Sequence, residues 1–359
     1  MTKRWPRLGD SGLQVAQVWV ASRLVMVLVG VWLMTGNGWS FSQLVGRWDV
    51  LHFIAIAQHG YADLTSAAFF PGLPLLLRGG AAIGLPMTVS GVLVALITSA
   101  LAAAALYRLF GAAAATWWLV APTAIFTAVG YSEAPFCAAA FWAWYKATKG
   151  HDAQAAVLAG VACAFRISGL FLVAGLAVAA LTKPGRELPR LVWLVIPVAV
   201  LAVFEVYLHG VTGSWTAWLD AQQQGWTRGF SSPWASLMHT VQAGLVSSWP
   251  GRLDIAWVFR AEIVSMAVGL AVTIWALWRR RWAWATFTGL QVVAFGTSCW
   301  YMSVNRAVLV WFPLWAGLGA ATKRARSIAS RAVTALAGVV SLGLMVTWAW
   351  LFMTGRWAS

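Results

Sequence analysis

The sequence is poor in acidic residues, in charge overall and in cysteine. Asp and Glu total 10 of 359 residues, charged residues of both signs amount to 10%, and there are 3 cysteines. A water-soluble domain carries about a quarter charged residues, so this composition excludes a soluble globular protein. The cysteines lie within apolar stretches, which predicts neither a disulfide framework nor a thiolate metal site.

Hydrophobic residues make up 61% of the chain. Apolar runs of about 18 residues or more recur and lack the two-residue alternation of a β-barrel, which predicts an all-α polytopic membrane protein with about eleven spans. The basic start lacks a small-residue cleavage site, so we expect the first span to be retained rather than removed as a signal peptide. The candidate spans are 14-36, 86-107, 111-129, 134-147, 153-165, 169-182, 190-209, 257-278, 282-300, 307-321 and 332-353.

The net charge of +15 predicts an orientation in the membrane rather than nucleic-acid binding. Lys and Arg residues form short clusters between the spans, and the positive-inside rule places such clusters in the cytoplasm. If the N-terminus is cytoplasmic, Lys183 and Arg280 are cytoplasmic only when the apolar segment 67-84 does not cross. Its prolines, Arg78 and Gly79-Gly80 also favour a half-inserted segment.

These assignments predict a single membrane domain over residues 1-359, with two large non-cytoplasmic segments, 37-85 and 210-256. In the first of them, Asp49 lies beside Arg47 and Trp48, just past the end of the first span. A helix over 49-63 would place five residues on one face: Asp49, His52, Ile56, His59 and Asp63. Such a helix would present a carboxylate and two imidazoles to a cavity; the alternative is an ordinary interfacial helix with a solvated polar face.

Two further charged residues are candidates on the same side. Glu133 is predicted at an outer helix hairpin, as a site residue or, with Ser132, as a helix cap that complements the dipole. Arg166 lies between two short apolar spans, where a charge is costly and needs a partner. Its guanidinium suits a lipid-linked phosphate, and the alternative is a structural ion pair with Glu133 or Asp49.

The outer loop 213-234 mixes Trp residues with amide side chains and one arginine. Aromatic faces and amides such as that of Gln222 suit sugar recognition, although anchoring at a membrane interface also enriches Trp. Arg306, at an outer helix end, is a second candidate contact for phosphate or sugar. The sequence lacks a Walker loop and a Gly-rich dinucleotide turn, so an enzyme facing outward would draw its activated group from a lipid carrier.

Together these segments resemble the PIG-V family, the enzymes that add the second mannose to the glycosylphosphatidylinositol anchor, and their bacterial relatives. In this chain, Ile167-Ser168 follow Arg166 where the family usually has Ser-Asn, and Ala307 follows Arg306 where an aromatic residue is usual. These departures leave the acceptor and the identity of the sugar open. The matching pieces are Arg47-Trp48-Asp49 with Gly60-Tyr61, Phe69-Phe70-Pro71 with Pro74, Pro122, Ile125-Phe126, Tyr131-Ser132-Glu133, Arg166 with Gly169, Gln222 with Trp226, and Arg306 with Phe312-Pro313-Leu314.

The resemblance implies a GT-C fold, a polyprenyl-phosphate-mannose donor, a glycolipid or glycan acceptor, and inversion at the anomeric carbon, in a bacterial plasma membrane. Asp49 is then expected to be the general base, and Arg166 with Arg306 to stabilise the departing phosphate. Glu133 would position the acceptor or hold a divalent cation, the one cofactor left undecided. His52 would tune Asp49 or contact phosphate.

Two other hypotheses are a transporter of lipid-linked sugars and a membrane scaffold whose charges are structural. An enzyme requires the charged candidates to converge on one outward cavity.

Overall fold

The computed structural model describes residues 10–182 and 188–358, and it is almost entirely helical. Within those two ranges no β-strand is formed, which confirms the all-α prediction. Lys183, predicted to be cytoplasmic, and the basic start of the chain over residues 1–9 lie outside the described residues.

The α-helices, numbered in chain order, are α1 (Asp10–Asn37), α2 (Phe41–Val45), α3 (Asp49–His59), α4 (Gly72–Ala82), α5 (Met87–Phe110), α6 (Ala112–Leu119), α7 (Glu133–Thr148), α8 (Asp152–Cys163), α9 (Ser168–Leu181), α10 (Val195–Thr212), α11 (Ala217–Trp226), α12 (Pro233–Ala243), α13 (Leu253–Trp278), α14 (Trp282–Gly296), α15 (Val304–Ala307), α16 (Phe312–Arg324) and α17 (Ile328–Met353). Short 3-10 helices cover Leu64–Ala68, Ala124–Thr127, Leu188–Leu194, Val246–Ser248 and Val308–Val310.

The described helices include several that are long and apolar enough to cross a membrane, so the chain is a multi-pass membrane protein. There are 5 of them, or up to 6 if Val304–Val310 and α16, which meet at 68°, form one bent span. The 5 helices are α1, α5, α13, α17 and the continuous helical segment Leu191–Thr212, which contains α10.

The prediction of about eleven spans is not confirmed, because several predicted spans are short or broken. Residues 111-129 are divided between α6, which has 8 residues, and the 3-10 helix Ala124–Thr127. Eight helical residues extend only about 12 Å, whereas the hydrocarbon core of a bilayer is about 30 Å thick. Helix α8 has 12 residues and is likewise shorter than a full span.

Segment 67-84 forms the end of a 3-10 helix followed by α4, which has 11 residues. An α-helix of that length extends about 17 Å and does not cross a bilayer. This length agrees with the prediction of a segment that enters the membrane without crossing it.

Helix α3 is shorter than predicted. It begins at Asp49 but ends at His59, because Gly60 adopts a φ of 73° that stops the helix. Asp63 therefore does not share a helix face with Asp49; its carboxylate instead accepts the backbone N–H of Ser66 and caps the next 3-10 helix.

Helix α7 lies at the centre of the helical core, packed between α5 and α8. Its many alanines allow neighbouring backbones to approach closely, as in helix packing within membranes. The aromatic rings of Phe141 and Trp144 on α7 pack against Phe312 of α16. This packing fixes Glu133, the first residue of α7, inside the molecule.

Candidate active site

A cavity of about 400 Å³ lies where α3, α11, α14 and the turn between α8 and α9 meet. Its wall contains four charged side chains and nine aromatic ones. The charged residues are Asp49, Arg166, Arg228 and Arg306. The aromatic residues are Phe53, Phe69, Phe70, Phe165, Phe171, Trp218, Trp226, Phe230 and Phe295.

Asp49 is held at the start of α3 by the backbone conformation of the preceding residue and by two hydrogen bonds. Trp48, which precedes it, has a φ of 52°, a conformation that is rare for residues other than glycine and recurs at functional sites. The Asp49 N–H donates to the Tyr131 hydroxyl at 3.2 Å, and Oδ2 accepts from Arg306 Nη1 at 2.7 Å. Within the described part of the chain, Oδ1 accepts no hydrogen bond, so this oxygen is available to a substrate in the cavity.

Arg306 is held rigidly against Asp49. It lies on the short helix α15, and its Nη2 donates to the hydroxyl of Ser303 at 2.9 Å. Its guanidinium also lies 5.3 Å and 5.1 Å from the ring centroids of Phe126 and Tyr131. These ring faces favour a cation electrostatically.

The segment carrying Arg306 is anchored from α13 by Glu262, whose side chain is 1% exposed. Its two carboxylate oxygens accept the backbone N–H groups of Ser303 at 2.9 Å and Asn305 at 2.8 Å. Ser303 itself has a φ of 67°, in the left-handed region. Glu262 therefore stabilises the turn that leads into α15.

Glu133 connects Arg306 to Arg166. Its carboxylate is fully buried, with Oε1 2.7 Å from Arg166 Nη1 and 3.5 Å from Arg306 Nη1. Arg306 thus lies between the carboxylates of Asp49 and Glu133, so that two acidic and two basic groups form a continuous network, buried at Glu133 and partly exposed at Asp49 and Arg166. A buried carboxylate needs such partners, because isolated charge is poorly solvated inside a protein.

The helix-cap alternative is confirmed in one part, because Glu133 lies in the first turn of α7, and wrong in the other, the side-chain cap by Ser132. Helix α7 begins at Glu133, but the Ser132 side chain caps no backbone N–H. Its hydroxyl instead accepts a hydrogen bond from Arg166 Nη1 at 3.1 Å.

Of the two interpretations of Arg166 that the sequence left open, the structure shows the ion pair with Glu133, while a contact with a lipid-linked phosphate stays a prediction. Arg166 also lines the cavity. The turn that carries it is tight: a Cβ atom on Gly169 would lie 2.6 Å from the Cα atom of Cys163, closer than atoms approach without displacement. Only glycine fits there, which fixes Arg166 between α8 and α9.

Three predicted site residues do not reach the cavity wall. The guanidinium of Arg47 lies over the Trp39 ring at 5.6 Å, and the Trp48 ring packs edge-on against Trp357 at 5.4 Å. His52 stacks on Phe69, with ring centroids 4.9 Å apart, and so packs against a residue of the cavity wall without lining the cavity itself. Their contacts shape the start of α3 and the wall around it.

Gln222, predicted to contact substrate, lies in the cavity wall and contacts Arg228, a residue that was not selected as a site candidate from the sequence. Arg228 donates from Nη1 to Gln222 Oε1 at 3.2 Å, and from Nη2 to the carbonyl of Met302 at 2.8 Å and the hydroxyl of Ser303 at 3.0 Å. Burial, and to a smaller extent Arg306, lowers the pKa of Arg228 to about 10, so this group stays protonated at neutral pH. The signal in the sequence was its position as the one arginine in the Trp-rich loop 213-234.

The charged residues of the site do not fit a divalent cation. Glu133 lies between the guanidinium groups of Arg166 and Arg306, and Asp49 pairs with the same Nη1 atom of Arg306, so a cation separates the two carboxylates that would have to share a metal. Across the ranges that the structure describes, no group of three His, Cys, Asp or Glu side chains could hold a metal ion. The arrangement offers instead one accessible carboxylate oxygen beside several guanidinium groups, which is suited to proton removal and anion stabilisation.

Comparison with known proteins gives matches to one kind of enzyme. The chain is 34% identical to the GPI alpha-1,6-mannosyltransferase 2 of Mus musculus over 145 residues, which cover 35% of this chain and 29% of the mouse protein. The proteins of the same name from Rattus norvegicus and Homo sapiens are 34% and 32% identical over 148 residues, 36% of this chain and 30% of each relative.

The PIG-V resemblance is confirmed. The chain matches less than a third of the length of these PIG-V relatives, and no family model matches it. The relatives are named as mannosyltransferases, which are glycosyltransferases.

Proposed function

We propose that this protein is an integral-membrane mannosyltransferase. It transfers a mannosyl residue from polyprenyl-phosphate-mannose to a hydroxyl of a glycolipid or glycan on the non-cytoplasmic face. The observation that carries the proposal is the ion pair of Asp49 with Arg306 in the wall of an aromatic cavity, in a membrane protein with mannosyltransferase relatives. Aromatic faces stack against sugar rings, while the charged groups act on the reacting atoms.

In the proposed step, Oδ1 of Asp49 accepts the proton of the acceptor hydroxyl. The hydroxyl oxygen forms a bond to C1 of the sugar, and the bond between C1 and the phosphate oxygen breaks on the opposite face, which inverts the anomeric carbon. The phosphate leaves with the electron pair. Arg306 holds the other oxygen of Asp49 at 2.7 Å and so orients the base.

Arg166 and Arg306 stabilise the negative charge that develops on the leaving phosphate. Arg166 retains 17% exposure of its side chain while paired with Glu133, so part of the guanidinium still faces the cavity. Guanidinium groups held in place before the reaction stabilise developing charge without further reorganisation. Glu133 fixes both arginines rather than contacting the acceptor directly.

The proposed orientation is supported by the two ends of α7. Glu133 is its first residue, whereas Lys146 lies in its last turn. Thirteen residues of α-helix separate these positions by about 20 Å, so the site and Lys146 lie at opposite ends of the helix. Lys323, in the last turn of α16, donates to the carbonyl of Phe110, the last residue of α5. The basic ends of these two helices are therefore also in contact. By the positive-inside rule these ends face the cytoplasm and the site faces outward.

The transporter hypothesis is less well supported, because the charged candidates gather at one site rather than along a path through the spans.

The experiment is transfer of labelled mannose. Membranes containing the protein are incubated with labelled polyprenyl-phosphate-mannose and candidate glycolipid acceptors. The matched controls are Asp49→Asn, which removes the base, and Asp63→Asn, the same change in the same outer segment at a helix cap. Transfer by the wild type and by Asp63→Asn, but not by Asp49→Asn, supports the proposal. Movement of intact donor across the membrane without transfer would instead support the transporter.

A further inference from the structure

Three guanidinium groups line the cavity, and they differ in what they contact. Arg166 forms an ion pair with Glu133, and Arg306 forms one with Asp49. The three hydrogen bonds that Arg228 donates all end on neutral oxygens, those of Gln222, Met302 and Ser303. The positive charge of Arg228 is therefore the least neutralised by direct contacts.

Arg228 and Arg306 converge on one oxygen atom. The Nη2 atoms of both arginines donate to the hydroxyl of Ser303, at 3.0 Å and 2.9 Å. Two cations directed at one neutral oxygen mark a place where an anionic oxygen would be bound more strongly than the hydroxyl. The repulsion between the two arginines, which contributes to the lowered pKa of Arg228, would be relieved by an anion there.

The neighbourhood of Arg228 also indicates what carries the anion. The cavity wall beside it includes Phe230, Phe295 and Phe171, with Leu219 and Trp218 from α11. Phe230 is 91% exposed and Leu219 is 58% exposed, so apolar surface continues outward from the cationic group. Exposed apolar side chains next to a buried cation fit an anion attached to a hydrocarbon chain better than a free ion.

We propose that Arg228, together with Arg306 at Ser303, binds the phosphate ester of a lipid-linked substrate. This inference rests on the proposed function and deepens it: it assigns ground-state phosphate binding to Arg228, whose contacts are neutral. Arg166, whose guanidinium is already paired with Glu133, then acts mainly in the transition state, when negative charge develops on the leaving phosphate. Both the donor and a phosphoglycolipid acceptor carry a phosphate ester on a lipid, and kinetics separate these two sources.

The first test measures binding and needs no turnover. Farnesyl phosphate, farnesol and inorganic phosphate are titrated into purified wild type, Arg228→Gln, Arg228→Lys and Arg356→Gln in detergent micelles. Arg356→Gln is the matched control, because it removes the same charge from an exposed arginine outside the cavity wall, whose guanidinium lies over the Trp350 ring.

We expect Arg228→Gln to weaken farnesyl phosphate binding by about tenfold or more, the scale of a charge-assisted hydrogen-bond pair, and Arg356→Gln to leave it unchanged. The affinity of Arg228→Lys for farnesyl phosphate should lie between those of the wild type and Arg228→Gln, because lysine keeps the charge but loses the planar fork. If Arg228→Gln does not fold, Arg228→Lys provides the test in its place. Farnesol should bind weakly and equally to all four proteins. Equal affinity of wild type and both Arg228 variants for farnesyl phosphate would refute the inference, as would inorganic phosphate binding as tightly as the lipid.

The second test is kinetic and separates the sources of phosphate. A higher KM for the polyprenyl-phosphate donor in Arg228→Lys, with an unchanged KM for the acceptor, assigns the site to the donor; the reverse assigns it to the acceptor. Unchanged KM values for both would refute the inference while leaving the proposed transfer intact. Conversely, Arg228-dependent binding of farnesyl phosphate by a protein that transfers no mannose would sustain the site and contradict the proposed function.

Discussion

Asp49 and Arg306 are 257 positions apart in the sequence, and their side chains form a 2.7 Å ion pair in the wall of the cavity. The contact joins the first outer segment to the short helix α15. It uses one carboxylate oxygen of Asp49 and leaves the other facing the cavity. The pair therefore orients a base and places a cation beside the reacting centre at the same time.

Asp49→Asn tests the base. The substitution keeps the shape of the side chain, and the amide oxygen still accepts from Arg306, so we expect a folded, membrane-inserted protein. Transfer should fall by about 100-fold or more, the usual scale for loss of a general base. Mannose transfer per amount of folded protein is measured alongside Asp63→Asn, where Asn caps the 3-10 helix as well as Asp does. Normal transfer by Asp49→Asn would remove this residue from the mechanism.

The ion pair between Arg166 and Glu133 should stabilise the fold. Breaking a buried pair by removing one partner costs up to about 3–5 kcal/mol, because the other charge is left buried. Glu133→Gln and Arg166→Gln should each lower the melting temperature in detergent, and the double variant should lose less than both single changes together. Additive losses would show that the two residues do not stabilise each other.

Arg166→Lys separates stability from catalysis at the same residue. The lysine keeps the charge but not the planar guanidinium, which contacts Ser132 and Glu133 through Nη1 and keeps its other nitrogens for a ligand in the cavity. If Arg166 stabilises the leaving phosphate, turnover should fall substantially while the amount of folded protein is maintained. Arg166→Ala provides the comparison, since it should reduce both. Unchanged turnover in the lysine variant would assign Arg166 to structure alone.

The sequence predicted those parts of the site that depend on local pattern. Asp49 at a helix start and Arg166 at a helix break could be anticipated, because apolar periodicity and the cost of a charge near a membrane are both readable from neighbouring residues. The end of α3 could not be anticipated, since it depends on the positive φ of Gly60 rather than on amphipathic spacing. The burial of Glu133 between two arginines required the position of Arg306, which only the tertiary fold supplies.

The predicted orientation can be tested by cysteine labelling from outside the cell. After Cys137, Cys163 and Cys299 are replaced, Trp234→Cys, in the second outer segment, should react with an impermeant reagent. Arg280→Cys should react only after the membrane is permeabilised. Both side chains are exposed, so a difference in reactivity reports the side of the membrane rather than burial. Labelling of position 280 from outside would place the site on the cytoplasmic face.

Glu262 is a positioning residue that the sequence did not reveal, because it lies within a predicted apolar span. It accepts the N–H groups of Ser303 and Asn305 and so fixes the segment that presents Arg306 to Asp49. In Glu262→Gln, only the amide oxygen can accept, so one of these N–H groups loses its partner and α15 should shift. A displacement of about 1 Å at a reacting centre can lower the rate by as much as 100-fold, so we expect a clear loss of turnover.

Two comparisons distinguish positioning from a general effect on folding. Asp254→Asn removes another buried carboxylate from the same helix, one that contacts Arg252 and the backbone of Trp357, and should lower stability without lowering turnover per folded molecule. If Glu262 acts through Arg306, then adding Glu262→Gln to Asp49→Asn should lower turnover by less than Glu262→Gln lowers it in the wild type, because the base that Arg306 orients is already absent and only the contact of Arg306 with the leaving phosphate remains to be lost. An undiminished loss in the double variant would show that Glu262 does not act by orienting Asp49.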